Sequence, residues 1–190
     1  MRIIIILITG LFLSGCATDQ CGVKTSTGHC LGTSAFKKIS YEEGKIYLPE
    51  KWREKVFIHR GRSFSSHYQE NIILPNAGLV LEKYYLGGFA ERFNENGFKR
   101  VLTSWPAIND NINPQHLNFQ SARNIYFAPY KMKDLQCFVG RTFLGQMREL
   151  TNGNGREATL RGYLCQPNTI KPEEAQSNFI NFMANIKLKD

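Results

Sequence analysis

The stretch CFVGRTFLGQMRELTNGNGREATLRGYLC, residues 137–165, predicts a β-hairpin around which the rest of the fold is built. Its middle, Thr151–Gly155, reads TNGNG, and asparagine and glycine accept the positive φ that tight turns require. A hairpin centred near the start of this turn places Cys137 opposite Cys165. The last eight residues alternate with a period of two, which predicts a half-buried strand whose cysteine shares a face with Tyr163.

Other short apolar runs, rich in Ile, Val, Phe, Tyr and Leu, have the length of strands. Prolines stand near the ends of several runs, where a missing amide donor is tolerated. These features predict a mainly antiparallel sheet. The predicted strands span residues 45–48, 56–59, 71–74, 79–86, 98–102, 124–128, 135–144 and 158–165.

Two helices are predicted. Pro172–Leu188 has a proline suited to the first turn, and its apolar residues follow helical spacing. A shorter helix around Gly88–Glu95 ends at Gly97, which suits a left-handed cap. Residues 106–120 have little apolar order and predict a long surface loop. The apolar face of the longer helix consists of Ala175, Phe179, Phe182, Met183 and Ile186.

The pattern predicts one α+β domain over residues 36–190, with a mainly antiparallel sheet and the C-terminal amphipathic helix packed on one face. A Pro49–Trp52 step near the first strand, together with the terminal helix, loosely resembles the layout of the Mog1/PsbP/DcrB-like family. That resemblance implies an architecture only, and it assigns no functional residue.

The amino terminus, MRIIIILITGLFLSGC, indicates export. Its apolar run, Ile3–Leu13, has eleven positions, whereas a membrane-spanning helix needs roughly 20, so residues 1–15 are predicted to be a signal peptide. Leu13-Ser14-Gly15-Cys16 resembles the lipobox of bacterial lipoproteins. The resemblance implies cleavage after Gly15 and attachment of acyl chains such as palmitate to Cys16. The alternative is an ordinary secretory signal with a chance cysteine.

Ala17 follows the predicted lipidated cysteine in place of the aspartate that often retains lipoproteins at the inner membrane. The resemblance therefore implies a protein of the cell envelope that is anchored in the outer membrane and faces the periplasm. Residues 16–35 are rich in Gly, Thr and Ser and are predicted to form a lipidated tether with one disulfide loop.

Lipidation of Cys16 would leave four cysteines for pairing, and four cysteines allow three connectivities. In an oxidising compartment such cysteines are usually paired. We favour one bond within the tether and one across the hairpin. Cys21, His29 and Cys30 lack the spacing of a zinc site, so no metal is expected. The favoured disulfides are Cys21 with Cys30 and Cys137 with Cys165.

The chain has 24 basic and 16 acidic side chains. Removal of Arg2 with the signal leaves 23 against 16, a net charge of +7. Such a surplus favours anionic partners, here an acidic envelope polymer or an envelope protein, in addition to the membrane. The basic residues between Lys37 and Arg62 are interleaved with glutamates, so a solvated face is the alternative. Nucleic acid is not expected, since no recognised binding motif is present.

Evidence for catalysis is weak, and neither a catalytic residue nor a cofactor is predicted. The segment Arg62–Glu70 contains serine, histidine and acid but no nucleophile elbow. His59 and His67 are predicted to have hydrogen-bonded surface roles. Glu70 and Glu82 could form a carboxylate pair of the kind that cleaves glycans, at some 5 to 9 Å separation.

The sequence therefore predicts a lipid-anchored envelope protein that acts by binding, as an accessory or assembly factor. One alternative is an envelope enzyme acting on cell wall or lipid, and another is a lipoprotein of a secretion, conjugation or phage-encoded system. Exposed aromatic residues could supply contact area, although a core role is the alternative for each. The candidates are Trp52, Tyr84, Tyr85 and Trp105.

Overall fold

The structure is a computed structural model that describes residues 36–64, 66–90, 93–105, 108, 112–150 and 153–189. All of these residues belong to one compact unit, Phe36–Asp190. The predicted signal peptide and tether, with Gly15, Cys16, Cys21 and Cys30, lie outside the described residues. Within the described ranges, no helix has the length and apolarity needed to cross a bilayer.

The described strands form one large antiparallel sheet with the order β1-β3-β4-β5-β10-β9-β8-β7, with β6 paired to β10, and a small sheet of β2 and β11. This architecture, mostly antiparallel sheet with few helices, is consistent with the α+β class. The strands are β1 Lys37–Lys38, β2 Ile46–Tyr47, β3 Ile58–Ser63, β4 His67–Leu74, β5 Ala77–Tyr84, β6 Phe89–Ala90, β7 Gln120–Ala122, β8 Ile125–Met132, β9 Leu135–Leu150, β10 Gly153–Pro167 and β11 Lys187–Leu188. The helices are α1 Glu50–Arg53, α2 Glu95–Leu102 and α3 Pro172–Ala184, and a 3₁₀ turn spans Pro114–His116.

The predicted hairpin is the central pair of the large sheet. β9 and β10 pair antiparallel, with Cys137 directly opposite Cys165, and a disulfide joins the two cysteines. The pairing shifts register between Arg156 and Ala158, where the strand is irregular. Both strands extend beyond the predicted bounds, so Gly153–Gly155 of the predicted turn belong to β10, and residues 151 and 152 lie outside the described residues.

Helix α3 packs on one face of this sheet, as its amphipathic pattern predicts. The Phe179 ring lies 5.9 Å from the Phe127 ring and 5.8 Å from the Phe138 ring. Leu160 of β10 is fully buried in the same cluster. The helix ends at Ala184, before the predicted end at Leu188, because the chain turns there to form β11 against β2.

A second apolar cluster covers part of the other face of the sheet, and α2 lies over it. The prediction that the end of β10 is half-buried is therefore wrong, since Thr159, Arg161 and Cys165 are all at least nine-tenths buried. The prediction that Cys165 shares a face with Tyr163 is confirmed, because both belong to this cluster.

Two predictions around α2 are wrong. Residues 98–102, predicted as a strand, lie in this helix, and the predicted helix around Gly88–Glu95 is replaced by the short strand β6. The Asn94 side chain accepts a hydrogen bond of 2.9 Å from the Gly97 amide and caps the start of α2. The observed helix therefore begins at Glu95, the residue at which the predicted helix ended. Within the predicted loop, Ile108 and Leu117 are buried in the second cluster, so this segment is not purely a surface loop.

Candidate functional site

A cleft of about 720 Å³ lies between α1, the turn that joins β4 to β5, the end of β10 and α3. We call it the α1–α3 cleft. Its apolar floor belongs to the core, so the cleft is backed by rigid structure. The floor consists of Leu74, Ala77, Leu164 and Phe182, and the polar lining includes Lys51, Lys55, Asn76, Gln166, Asn178, Asn181 and Asn185.

Helix α1 and the turn that follows it supply an aromatic and basic wall. Pro49 precedes its first turn, and the Trp52 ring lies 4.7 Å from the Phe182 ring, which anchors the short helix to α3. The ammonium groups of Lys51 and Lys55 lie 5.8 Å and 5.7 Å from the centre of the Trp52 ring. Both contacts fall within the range of cation–π attraction, which holds two positive charges at the cleft.

Helix α3 supplies an amide wall. Asn178, Asn181 and Asn185 are spaced by three and four residues, which places them along one side of a helix. The Asn178 Nδ2 atom donates to Gln166 Oε1 at 2.8 Å, and Gln166 Nε2 donates to the Ala175 carbonyl at 2.9 Å. These bonds fix the orientation of two amides at the cleft.

The other two amides of this wall also have fixed orientations. Asn181 Oδ1 accepts from the Arg123 guanidinium at 3.0 Å, and Asn185 Nδ2 donates to the Asn181 carbonyl at 2.7 Å. These contacts leave Asn178 Oδ1, Asn181 Nδ2 and Asn185 Oδ1 to bond a ligand. The wall therefore offers both donors and acceptors.

The lining of the cleft is basic and polar above its apolar floor. Among its lining residues are two lysines but no aspartate, glutamate or histidine, and Cys165 is held in a disulfide. The lining instead combines positive charge, amides and one aromatic ring.

The predicted carboxylate pair does not form. In the pairing of β4 with β5, Glu70 is opposite Leu81 and Glu82 is opposite Gln69. Residues directly opposite share a face and successive residues alternate, so Glu70 and Glu82 point to opposite faces of the sheet. The hypothesis that they act together on a glycan is wrong.

His59 is buried, so the predicted surface role is wrong. Its Nε2 atom lies 2.7 Å from Glu70 Oε1. The Glu70 carboxylate also accepts from the backbone amides of Lys45, at 2.5 Å, and Ile46, at 3.3 Å. This carboxylate thereby fixes the start of β2 to the large sheet, which is a structural role.

His67 lies on the other face and is half-buried. Its ring stacks on Phe64 at 4.3 Å and lies 5.5 Å from the Tyr84 ring. Burial lowers the pKa of His67, while the charge of Glu82 acts in the opposite direction. The Ser66 hydroxyl lies 3.1 Å from His67 Nδ1, but Glu70 is bonded to His59 on the opposite face of the sheet, so Ser66, His67 and Glu70 do not form a catalytic triad.

Of the predicted contact aromatics, only Trp52 lines the α1–α3 cleft. Trp105 packs against the second cluster, Tyr84 is half-buried, and Tyr85 is 46% exposed. The sequence analysis did not identify the asparagines of α3. Their spacing on the polar side of a predicted helix was the signal that could have found them.

Comparisons with known protein families, with curated proteins and with solved structures found no match. The likeness of residues 13–16 to a lipobox and the Mog1/PsbP/DcrB-like layout therefore remain predictions. Function is inferred from the side chains that line the cleft.

Proposed function

We propose that this chain is a lipid-anchored bacterial envelope protein that binds an acidic envelope polymer in the α1–α3 cleft without transforming it. The observation that supports this proposal is the lining itself, in which two lysines flank a tryptophan and face a row of asparagines, with no acidic residue among them. Such a lining suits an anion that also carries many hydroxyl groups.

The polymer that fits best is an acidic polysaccharide. Amide side chains both donate to and accept from sugar hydroxyls, and an aromatic ring packs on the apolar face of a sugar. Lys51 and Lys55 would pair with carboxylate or phosphate groups along the chain. The net charge of +7 on the mature protein raises the local concentration of such a polymer around the domain.

The proposed anchor explains where this binding takes place. Acyl chains on Cys16 would hold the domain at the outer membrane, facing the periplasm, because several chains anchor far more firmly than one. A cleft held there meets cell-wall polymers at high local concentration.

The test is a binding titration of the mature protein in detergent. The probe is oligogalacturonate, an acidic oligosaccharide, and its methyl-esterified form serves as a neutral probe with the same sugars. We expect the acidic form to bind roughly tenfold more tightly, since two charge pairs each contribute up to about 1 kcal/mol. Equal affinity for the two forms would contradict the proposal.

Matched variants distinguish binding in the cleft from general electrostatic attraction to a basic protein. Lys51→Gln/Lys55→Gln should weaken binding about tenfold, whereas Lys37→Gln/Lys38→Gln, which removes two exposed charges from β1, should have little effect. Asn181→Ala leaves the charge unchanged and should weaken binding several-fold, because a hydrogen bond contributes about 1 kcal/mol. Equal losses in the two lysine variants would indicate attraction by net charge alone.

A further inference from the structure

Two arginines meet on the face of the sheet that α2 covers. Arg141 of β9 and Arg161 of β10 are directly opposite each other, and both line a cavity of about 200 Å³ between the sheet and α2. Arg161 is only 7% exposed. Like charges at opposite positions of an antiparallel pair repel each other, and burial strengthens that repulsion.

Among the described residues that line the cavity, Glu82 is the carboxylate that faces these two cations. Glu82 Oε1 lies 2.5 Å from Arg161 Nη2 and also accepts from Gln69 Nε2 at 3.1 Å. Arg141 has a neutral partner instead, since its Nε atom donates to the Thr159 hydroxyl at 2.7 Å. Arg141, Arg161 and Glu82 therefore leave the cavity with a net charge of +1.

The surroundings of Arg141 disfavour its charge. Burial and the neighbouring Arg161 lower the pKa of Arg141 to about 10, although Glu82 acts in the opposite direction. The guanidinium lies 4.8 Å from the Phe143 ring, which gives it a cation–π contact but no negative charge.

A buried donor at the cavity lacks a partner. Arg161 Nε is one of the few buried side-chain polar atoms in the described residues that make no hydrogen bond. A buried donor without an acceptor is costly, so its presence points to an absent acceptor.

The helix above the cavity favours the same kind of ligand. Asn94 and Gly97, at the amino end of α2, line the cavity opposite the arginines. The amide groups at this end of an eight-residue helix carry partial positive charge. The Gly97 amide is itself bonded to Asn94 Oδ1, so the guanidinium groups of the sheet supply the donors and the helix end adds a favourable partial charge for an anion.

We infer that this cavity binds a single phosphate group between Arg141 and Arg161, at a site separate from the α1–α3 cleft. Two guanidinium groups are the side chains best suited to such an oxyanion. Glu82 holds Arg161 in place and limits the positive charge of the empty site. The inference goes beyond the proposed polymer binding and does not depend on it.

The experiment is a phosphate titration of the full mature protein at constant ionic strength. Binding is measured by the midpoint temperature of thermal unfolding and by calorimetry. We expect inorganic phosphate to raise the midpoint temperature relative to chloride. Arg141→Gln should abolish that rise without lowering the midpoint in chloride, because it removes a buried like charge. Arg100→Gln, which removes an exposed arginine from α2, is the matched control and should keep the full response.

Glu82→Gln should strengthen phosphate binding, whereas Arg141→Gln should abolish it. The Glu82 substitution raises the net charge of the cavity by one while keeping an acceptor for Arg161, so phosphate should bind several-fold more tightly. Unchanged or weaker binding would contradict the inference, as would a wild-type protein that does not respond to phosphate. If acetate raised the midpoint temperature and phosphate did not, the assignment to phosphate would be wrong. If the Arg141→Gln protein kept the full response to phosphate, the phosphate would bind outside this cavity.

Discussion

Reduction of the Cys137–Cys165 disulfide should lower the free energy of unfolding by about 3.6 kcal/mol. The bond closes a loop with a sequence separation of 28 residues. For a loop of that size, the chain-entropy relation gives about 12 cal/mol/K, or about 3.6 kcal/mol near 25 °C. In a domain of this length the midpoint temperature should fall by roughly 7 to 14 °C.

The assay is urea unfolding of the oxidised and reduced protein, followed by circular dichroism. The dependence of the free energy on urea should become steeper on reduction, because the reduced unfolded chain exposes more surface. Cys137→Ala/Cys165→Ala should resemble the reduced protein and should not respond to reductant.

Two results would refute this reasoning. A loss smaller than about 1 kcal/mol would show that the unfolded chain is not restricted by the bond as the entropy relation assumes. A double variant that still loses stability on reduction would assign the effect to other cysteines.

Three further changes probe the structure away from the disulfide. Glu70→Ala should cost about 3 kcal/mol or more by urea unfolding, since it leaves buried amides and His59 without an acceptor, whereas the exposed Glu149→Ala should cost almost nothing. Phe179→Ala should cost about 3 to 5 kcal/mol in the same assay, since the ring is fully buried; a loss below about 1 kcal/mol would exclude the α3 packing. The pKa of His67 in the folded protein is lowered from its ordinary value of 6.5, so above pH 6.5 the ring is neutral in both the folded and the unfolded chain. As the pH falls below 6.5, the unfolded chain binds the proton more readily, and the free energy of unfolding decreases. His67→Phe should therefore lose less stability than the wild type between about pH 7 and about pH 5, and an identical loss in both proteins would contradict that assignment.

The central hairpin was predictable because Cys137 and Cys165 are equally far in sequence from Thr151, where a run of asparagine and glycine favours a tight turn. Helix α2 was not predictable in the same way. Phe98, Val101 and Leu102 stand so close together that the run has the length of a strand, and the cap at Asn94 became meaningful only once the helix start was known. Alternation along β10 showed that one face is buried, but it could not show that a distant helix covers the other face.

The error over Glu70 and Glu82 has a physical lesson. The Pro75–Asn76 turn joins β4 to β5 with Leu74 opposite Ala77, and this register alone puts the two carboxylates on opposite faces. The α1–α3 cleft, in contrast, depends on tertiary packing that brings α1 and α3 together. The sequence pattern identifies the residues of each wall but does not show that the two walls face each other. The enzyme alternative and the secretion, conjugation or phage alternative stay predictions.

Intact-mass spectrometry of the native protein, extracted from its membranes, tests the anchor on which the proposed location depends. The predicted product begins at Cys16, lacks residues 1–15 and carries acyl chains on that cysteine. A product that retains residues 1–15, or one that begins with an unmodified Cys16, would contradict the assignment to the membrane.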